Sequence, residues 1–103
     1  MIVTVFRSRL HREHEEEYAR VAADMKSLVH TMPGFVSMKT FSAEDGERVS
    51  IVEFASQDAH DAWRAHPRHR EAQKLGREKF YSAFRIQVCR VERDYTMPDP
   101  SAQ

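Results

Sequence analysis

Residues 35–54 read Phe35-Val36-Ser37-Met38-Lys39-Thr40-Phe41-Ser42-Ala43-Glu44-Asp45-Gly46-Glu47-Arg48-Val49-Ser50-Ile51-Val52-Glu53-Phe54. Two runs rich in β-branched and aromatic residues flank a polar segment. That segment holds Asp45-Gly46, a dipeptide favoured in hairpin turns because its glycine takes a positive φ without strain. The stretch reads as a β-hairpin. It occupies the middle of the chain, so the elements on either side of it decide the fold.

Upstream, Pro33-Gly34 closes a segment running from His11 to Thr31. There Tyr18, Val21, Ala22, Met25, Leu28, Val29 and Met32 recur at the spacing of one helical face. Glu13, Glu15, Glu16 and Glu17 crowd its early turns, where the helix dipole favours anions. Before it, Ile2-Val3-Thr4-Val5-Phe6 has the composition of a strand. Downstream, Ser56 is placed to cap a helix carrying Ala59, Ala62, Trp63 and His66. Pro67 breaks or restarts that helix, and a second stretch over roughly 68–79 brings Ala72, Leu75 and Lys79 together. From Tyr81 the pattern alternates, with Phe84, Ile86 and Val88 on one face and Arg85, Gln87 and Cys89 on the other.

The order is β-α-β-β-α-β. It predicts an α+β, ferredoxin-like domain over residues 1–95, with a four-stranded antiparallel sheet, and an irregular tail over 96–103. Two helices cover one face of such a sheet and leave the other. Whichever way the first strand turns, either Val3 and Val5 or Ile2 and Phe6 lie on the uncovered side. In the hairpin Phe35 and Phe41 share a parity, as do Val36 and Met38, so the same dilemma recurs. A half-apolar face wants a cover, and a second copy of the chain is the expected one. The pattern therefore predicts a homodimer of facing sheets, with moderate cavities between sheet and helices.

Composition narrows the function. Sixteen Lys and Arg against sixteen Asp and Glu give no net charge, which argues against nucleic acid or an anionic membrane as the main partner. A chain of 103 residues buries about 60% of its unfolded surface, enough for one modest core. No apolar run approaches the length of a membrane span, and the first thirty residues lack a signal-peptide hydrophobic segment. A cytoplasmic address is expected. The single cysteine, Cys89, excludes an intrachain disulfide and any cysteine-rich zinc site.

Met-Pro-Gly-Phe at 32–35, Asp-Ala-Trp-Arg-Ala-His-Pro-Arg-His at 61–69, Gly76 followed by Phe80-Tyr81, and Gln87-Val88-Cys89 together resemble the antibiotic biosynthesis monooxygenase domain family. The resemblance covers roughly residues 1–95. It implies a dimeric α+β barrel, in a family that includes cofactor-independent oxygenases of polyphenolic or quinol-type substrates, haem-degrading enzymes and many proteins of unsettled activity. The haem branch relies on an asparagine on the first strand, a tryptophan on the second helical segment and a downstream histidine that ligates iron. Trp63 matches, but the chain has no asparagine, and Gln73 stands where the histidine would fall. Haem degradation is therefore disfavoured, and no cofactor is expected.

Oxygenation without metal or flavin needs a substrate able to give an electron to O₂. The protein must deprotonate it, exclude water and steady developing charge on oxygen. Trp63 is the candidate wall, or a piece of core on the stripe of Ala59 and Ala62. His69 or His66 is the candidate base; the alternative is that one caps the Pro67 helix and the other faces water. As a metal pair they suffer from Pro67, which spoils the shared helical face. Arg85 is the candidate anion holder, or one half of a dimer salt bridge. Tyr81 is placed to donate to a substrate carbonyl or simply to close the barrel end.

The remaining histidines, His11, His14, His30 and His60, read as surface residues, and Cys89 as a small buried hydrophobe. Glu53 is a less favoured base and reads first as the partner of an arginine. Arg64, Arg68, Arg70, Lys74 and Arg77 read as a solvated helix face, since Glu71 and Glu78 interrupt them and no aromatic platform accompanies them. Beside the oxygenase stands a second reading: a non-catalytic dimeric barrel that binds a small hydrophobic metabolite or a protein partner.

Overall fold

The computed structural model describes residues 1–98. Strand β1 spans Ile2–Leu10, helix α1 Glu15–Val29, strand β2 Phe35–Ser42 and strand β3 Arg48–Phe54. Helix α2 follows over Gln57–Ala65, α3 over Pro67–Leu75, a π-helical turn over Gly76–Phe80, and strand β4 over Tyr81–Arg90. The four strands form one antiparallel sheet in the order β2-β3-β1-β4. This is the expected ferredoxin-like α+β arrangement. Thr96–Pro98 carries neither helix nor strand, and the rest of the expected tail lies outside the described residues.

The local signals act as their chemistry requires. Ser56 Oγ accepts the Ala59 N–H at 3.1 Å and caps α2. Gly46 has φ 89° in the hairpin loop. The first helix starts later than its charge pattern predicts, at Glu15, because His14 takes a left-handed conformation at φ 65° and turns the chain into the helix. The second helical region is likewise shorter: α3 stops at Leu75, and Gly76–Phe80 widens into the π turn before β4.

Pairing fixes the two faces of the sheet. Ile2, Thr4, Phe6 and Ser8 align with Phe54, Val52, Ser50 and Arg48 on one side and with Arg90, Val88, Ile86 and Phe84 on the other. All of these share the helix side, because Phe54 is buried with Val29, Ala59 and Trp63 while Val52, Phe35 and Met38 pack against that cluster. Burial of each such aliphatic or aromatic side chain stabilises the fold by about 1.5–3 kcal/mol. Val3 and Val5 therefore lie on the open face, with Arg7, Arg9, Val49 and Ile51.

The hairpin departs from simple alternation. The β2–β3 register shifts between Phe35 and Ser37, a bulge centred on Val36. Phe35 and Met38 thus both face the helices, while Phe41, paired with Val49, faces the open side. The parity expected for Phe35 and Phe41 is corrected by this one extra residue.

Three burial expectations are also corrected. Phe84, Ile86 and Val88 do lie on one face, but they are 45–50% exposed, because β4 is the edge strand and α2 packs over β3. Cys89, on the opposite face of the same strand, is exposed in the single chain. On α2 the inward residues are Ala59, His60 and Trp63, with Ala62 outside; His60 is only 6% exposed and sets its ring edge-on against Phe54.

Candidate functional site

A polar arrangement on the helix side joins α2 to α3. Trp63, 8% exposed, is part of the core. The His69 ring stacks on the Trp63 ring at a centroid distance of 4.1 Å and an interplanar angle of 16°. His69 Nδ1 lies 3.1 Å from the Trp63 carbonyl oxygen. A carbonyl only accepts, so Nδ1 carries the proton and donates, and the lone pair resides on Nε2. Burial lowers the His69 pKa below its ordinary 6.5; the bond to the Trp63 carbonyl opposes this only in part. At neutral pH the ring is thus a neutral base with its tautomer assigned by one hydrogen bond.

His66 has a different task. It sits between the helices, ending α2 and starting α3, and its Nδ1 accepts the Arg68 N–H at 3.1 Å. Pro67 occupies the first position of α3, where a missing N–H costs nothing. The two histidines flanking Pro67 are therefore separated by the structure into a capping group and a half-buried imidazole. No group of three His, Cys, Asp or Glu side chains gathers in metal-binding geometry among the described residues.

The floor of the helix side runs in cross-strand rows. One row is Met38–Val52–Thr4–Val88. Its first two members pack against the Trp63 cluster and its last is half exposed, so the row leads from covered core to an open apolar shelf on β4. Thr4 stands between them, and its Oγ1 is the one buried side-chain polar atom without a hydrogen-bond partner among the described residues. A buried hydroxyl left unmet costs about 1–3 kcal/mol. In the sequence Thr4 is one polar residue inside Ile2-Val3-Thr4-Val5-Phe6, and threonine is so ordinary in strands that the position carries no distinguishing signal.

Tyr81 lies on the same side, at the start of β4. Its ring meets Phe6 edge-on at 5.3 Å and Tyr18 at 6.1 Å. Burial, and then the neighbouring Tyr18, push the Tyr81 phenol far above its ordinary range, so it remains an O–H donor. Arg85 is elsewhere. It pairs across β1 with Arg7 on the open face, borders a cleft of about 280 Å³ with Arg9 and Glu47, and lies on the opposite side of the sheet from Trp63. One chain cannot set Arg85 and Trp63 against the same ligand.

The other expectations sort simply. Glu53 accepts from Ser37 Oγ at 2.7 Å, whereas the arginines of β1 pair with Glu47 and Asp45, both at 2.8 Å. Arg70, Lys74 and Arg77 line an open cleft of about 520 Å³ together with Glu71 and Glu78, a mixed-charge surface. On β4 the half-exposed Phe84, Ile86 and Val88 form an open apolar shelf in the single chain.

A four-stranded antiparallel sheet, with the stacked Trp63–His69 pair on its helix side and an exposed apolar row on its edge strand, defines a ferredoxin-like α+β domain. The family model described as antibiotic biosynthesis monooxygenase matches residues 1–75, and the chain belongs to that family. The protein YqjZ of Bacillus subtilis is 30% identical over 86 residues, covering 84% of this chain and 75% of that protein. Among solved structures, Rv0793 from Mycobacterium tuberculosis superposes with a TM-score of 0.79 at 16% identity, covering 92% of this chain and 98% of its own. SnoaB from Streptomyces nogalater, a cofactor-independent oxygenase, superposes with a TM-score of 0.76 at 20% identity, covering 95% of this chain and 97% of its own. At these identities the two structures establish the shared fold. No helix among the described residues is long and apolar enough to cross a membrane.

Proposed function

We propose that the protein is a cofactor-independent oxygenase of a phenolic or quinol-type small molecule. The observation that carries the reading is the His69–Trp63 pair: a half-buried neutral imidazole, its Nδ1–H committed to a carbonyl and its Nε2 left as base. Membership of the family supports the class of reaction. In this reading Nε2 takes the phenolic proton, which raises the electron density of the ring. The phenolate passes an electron to O₂, and the two radicals recombine to form a C–O bond at a ring carbon. Loss of the ring hydrogen and cleavage of the O–O bond then give a quinone and water. One oxygen atom enters the product and the other leaves as water, with every electron drawn from the substrate.

Trp63 holds the imidazole in plane, and the shelf of Phe84, Ile86 and Val88 receives the aromatic rings. Tyr81 supplies an O–H donor at the end of the shelf. His66 supports the site by capping α3, and Arg85 acts on the open face. That face, with Val3, Val5, Val49, Ile51 and Phe41, is proposed to meet a second copy of the chain, in keeping with its apolar character. Oxygen uptake with a panel of quinols tests the reading. One O₂ consumed per quinone formed, and uptake abolished in His69→Gln, support it. Ligand bound without any uptake favours the non-catalytic binder.

A further inference from the structure

Arg48 opens β3 on the helix side, in the row Arg48–Ser8–Phe84. Its neighbour Glu47 reaches Arg7 on the open face instead, with Arg7 Nε and Nη2 donating to the two carboxylate oxygens. Arg9 is taken by Asp45. Arg48 is thus left in no ion pair among the described residues, although the chain carries as many acids as bases. Its guanidinium lies over the Tyr18 ring at 5.4 Å from the centroid. A cation–π contact holds the charge through the ring face and uses none of the five N–H donors. Tyr18 in turn meets Tyr81 edge-on, and Tyr81 and Phe84 are 6.0 Å apart.

These residues place a half-buried, unpaired, pre-positioned cation beside two phenols at one end of the apolar shelf. Two strand spacings, about 10 Å, separate Arg48 from Phe84 along the row. A carboxylate received by the guanidinium would leave its attached aromatic ring on the side of the Tyr81 and Phe84 rings. We propose that Arg48, held by Tyr18, is the specificity residue of this site and selects aromatic ligands bearing a carboxylate. The inference rests on the helix-side site proposed above and adds the charge of its ligand. Arginine suits the task because its planar donors match both oxygens of a carboxylate.

The test compares gentisate with hydroquinone, the same ring without the carboxylate. Binding is read anaerobically from the quenching of the single tryptophan, so that turnover does not enter. Gentisate is expected to bind about tenfold more tightly than hydroquinone. Arg48→Met should erase that ratio, and Arg48→Lys should keep part of it. A melting curve and far-UV circular dichroism establish that each variant is folded, and the lysine variant decides the matter if the methionine variant is not. Equal binding of the two ligands to the unmodified protein, or a ratio unchanged by both substitutions, overturns the proposal. The oxygenase reading fails separately: gentisate preference that depends on Arg48, with no oxygen uptake on either ligand, removes the chemistry and leaves the acid site standing.

Discussion

Gly76 lies against the ring of Tyr81 so closely that a Cβ on Gly76 would fall 2.5 Å from Tyr81 Cε2 and 2.9 Å from Cδ2. The glycine backbone is ordinary helix, φ −57°, so its reason for being glycine is the approach of that ring and not the conformation of its own chain. Gly76→Ala should gain up to about 1 kcal/mol of helix propensity yet lose more, about 1–3 kcal/mol, to overpacking. The expected result is a melting temperature lowered by Gly76→Ala in the unmodified background and hardly further lowered when the same change is made on top of Tyr81→Ala. Equal losses with and without the Tyr81 ring would assign the cost to another contact.

Two other glycines separate backbone strain from crowding. Gly34 and Gly46 both have positive φ, 81° and 89°. A Cβ on Gly34 would meet Ala59 Cβ at 2.6 Å, while one on Gly46 would meet nothing within 4 Å. Gly46→Ala should therefore cost only the left-handed backbone, about 1–2 kcal/mol. Gly34→Ala pays that and a clash with α2, so its midpoint of chemical denaturation should fall further. Matching losses at the two sites would show that α2 yields freely.

The neutral state of His69 sets two pH dependences. Its pKa in the folded chain is below the ordinary 6.5 because burial disfavours the charged ring. Above pH 6.5 the ring is neutral in both folded and unfolded chains, and its packing contributes in full. As pH falls below 6.5 the unfolded chain takes up the proton first, so stability drops until the folded pKa is passed. His69→Gln should flatten this part of the melting-temperature profile. In the proposed oxygenase, kcat/KM should fall on the acid side through the same lowered pKa. A profile that instead breaks well above 6.5 would point to a different base.

The open face yields a prediction about assembly. Val5 and Ile51 are direct cross-strand partners there. If two copies meet through this face, as proposed, Ile51→Glu buries a charge at the contact and should halve the mass seen by light scattering, with the far-UV spectrum preserved. An unmodified protein already at the mass of one chain would end the dimer proposal without touching the helix-side site.

The hairpin, its flanking helices and the order of elements along the chain are legible because each rests on short-range chemistry: a turn glycine, a serine cap, a proline at a helix start. What escaped depended on longer-range placement. Whether Val3 or Ile2 faces the helices is a property of pairing, which alternation alone leaves symmetric. His60 is expected on the surface as a polar residue of a short helix, yet α2 is rotated so that His60 is buried beside Ala59. At the candidate site the pair Trp63 and His69 could be named from the residues, but their stacking arises only once Pro67 turns the chain between two helices. Arg85 could be assigned a parity but not a distance from Trp63, and the sheet lies between them. Thr4 and Arg48 looked like ordinary strand residues until their missing partners became visible.

The extra residue at Val36 gives β2 two phases within eight residues. Ahead of it the strand keeps step with Phe54, and behind it with Val52 one position out of beat. A map of substitutions tolerated along the strand should carry the same dislocation. Apolar demand would fall at 35 and 38, where strict alternation calls for 35 and 37. Removing Val36 would not shorten the strand so much as force one half of it to turn over. The hairpin would then trade Phe35 out of the core or bring Phe41 into it, and either exchange joins two surfaces that one inserted residue keeps apart.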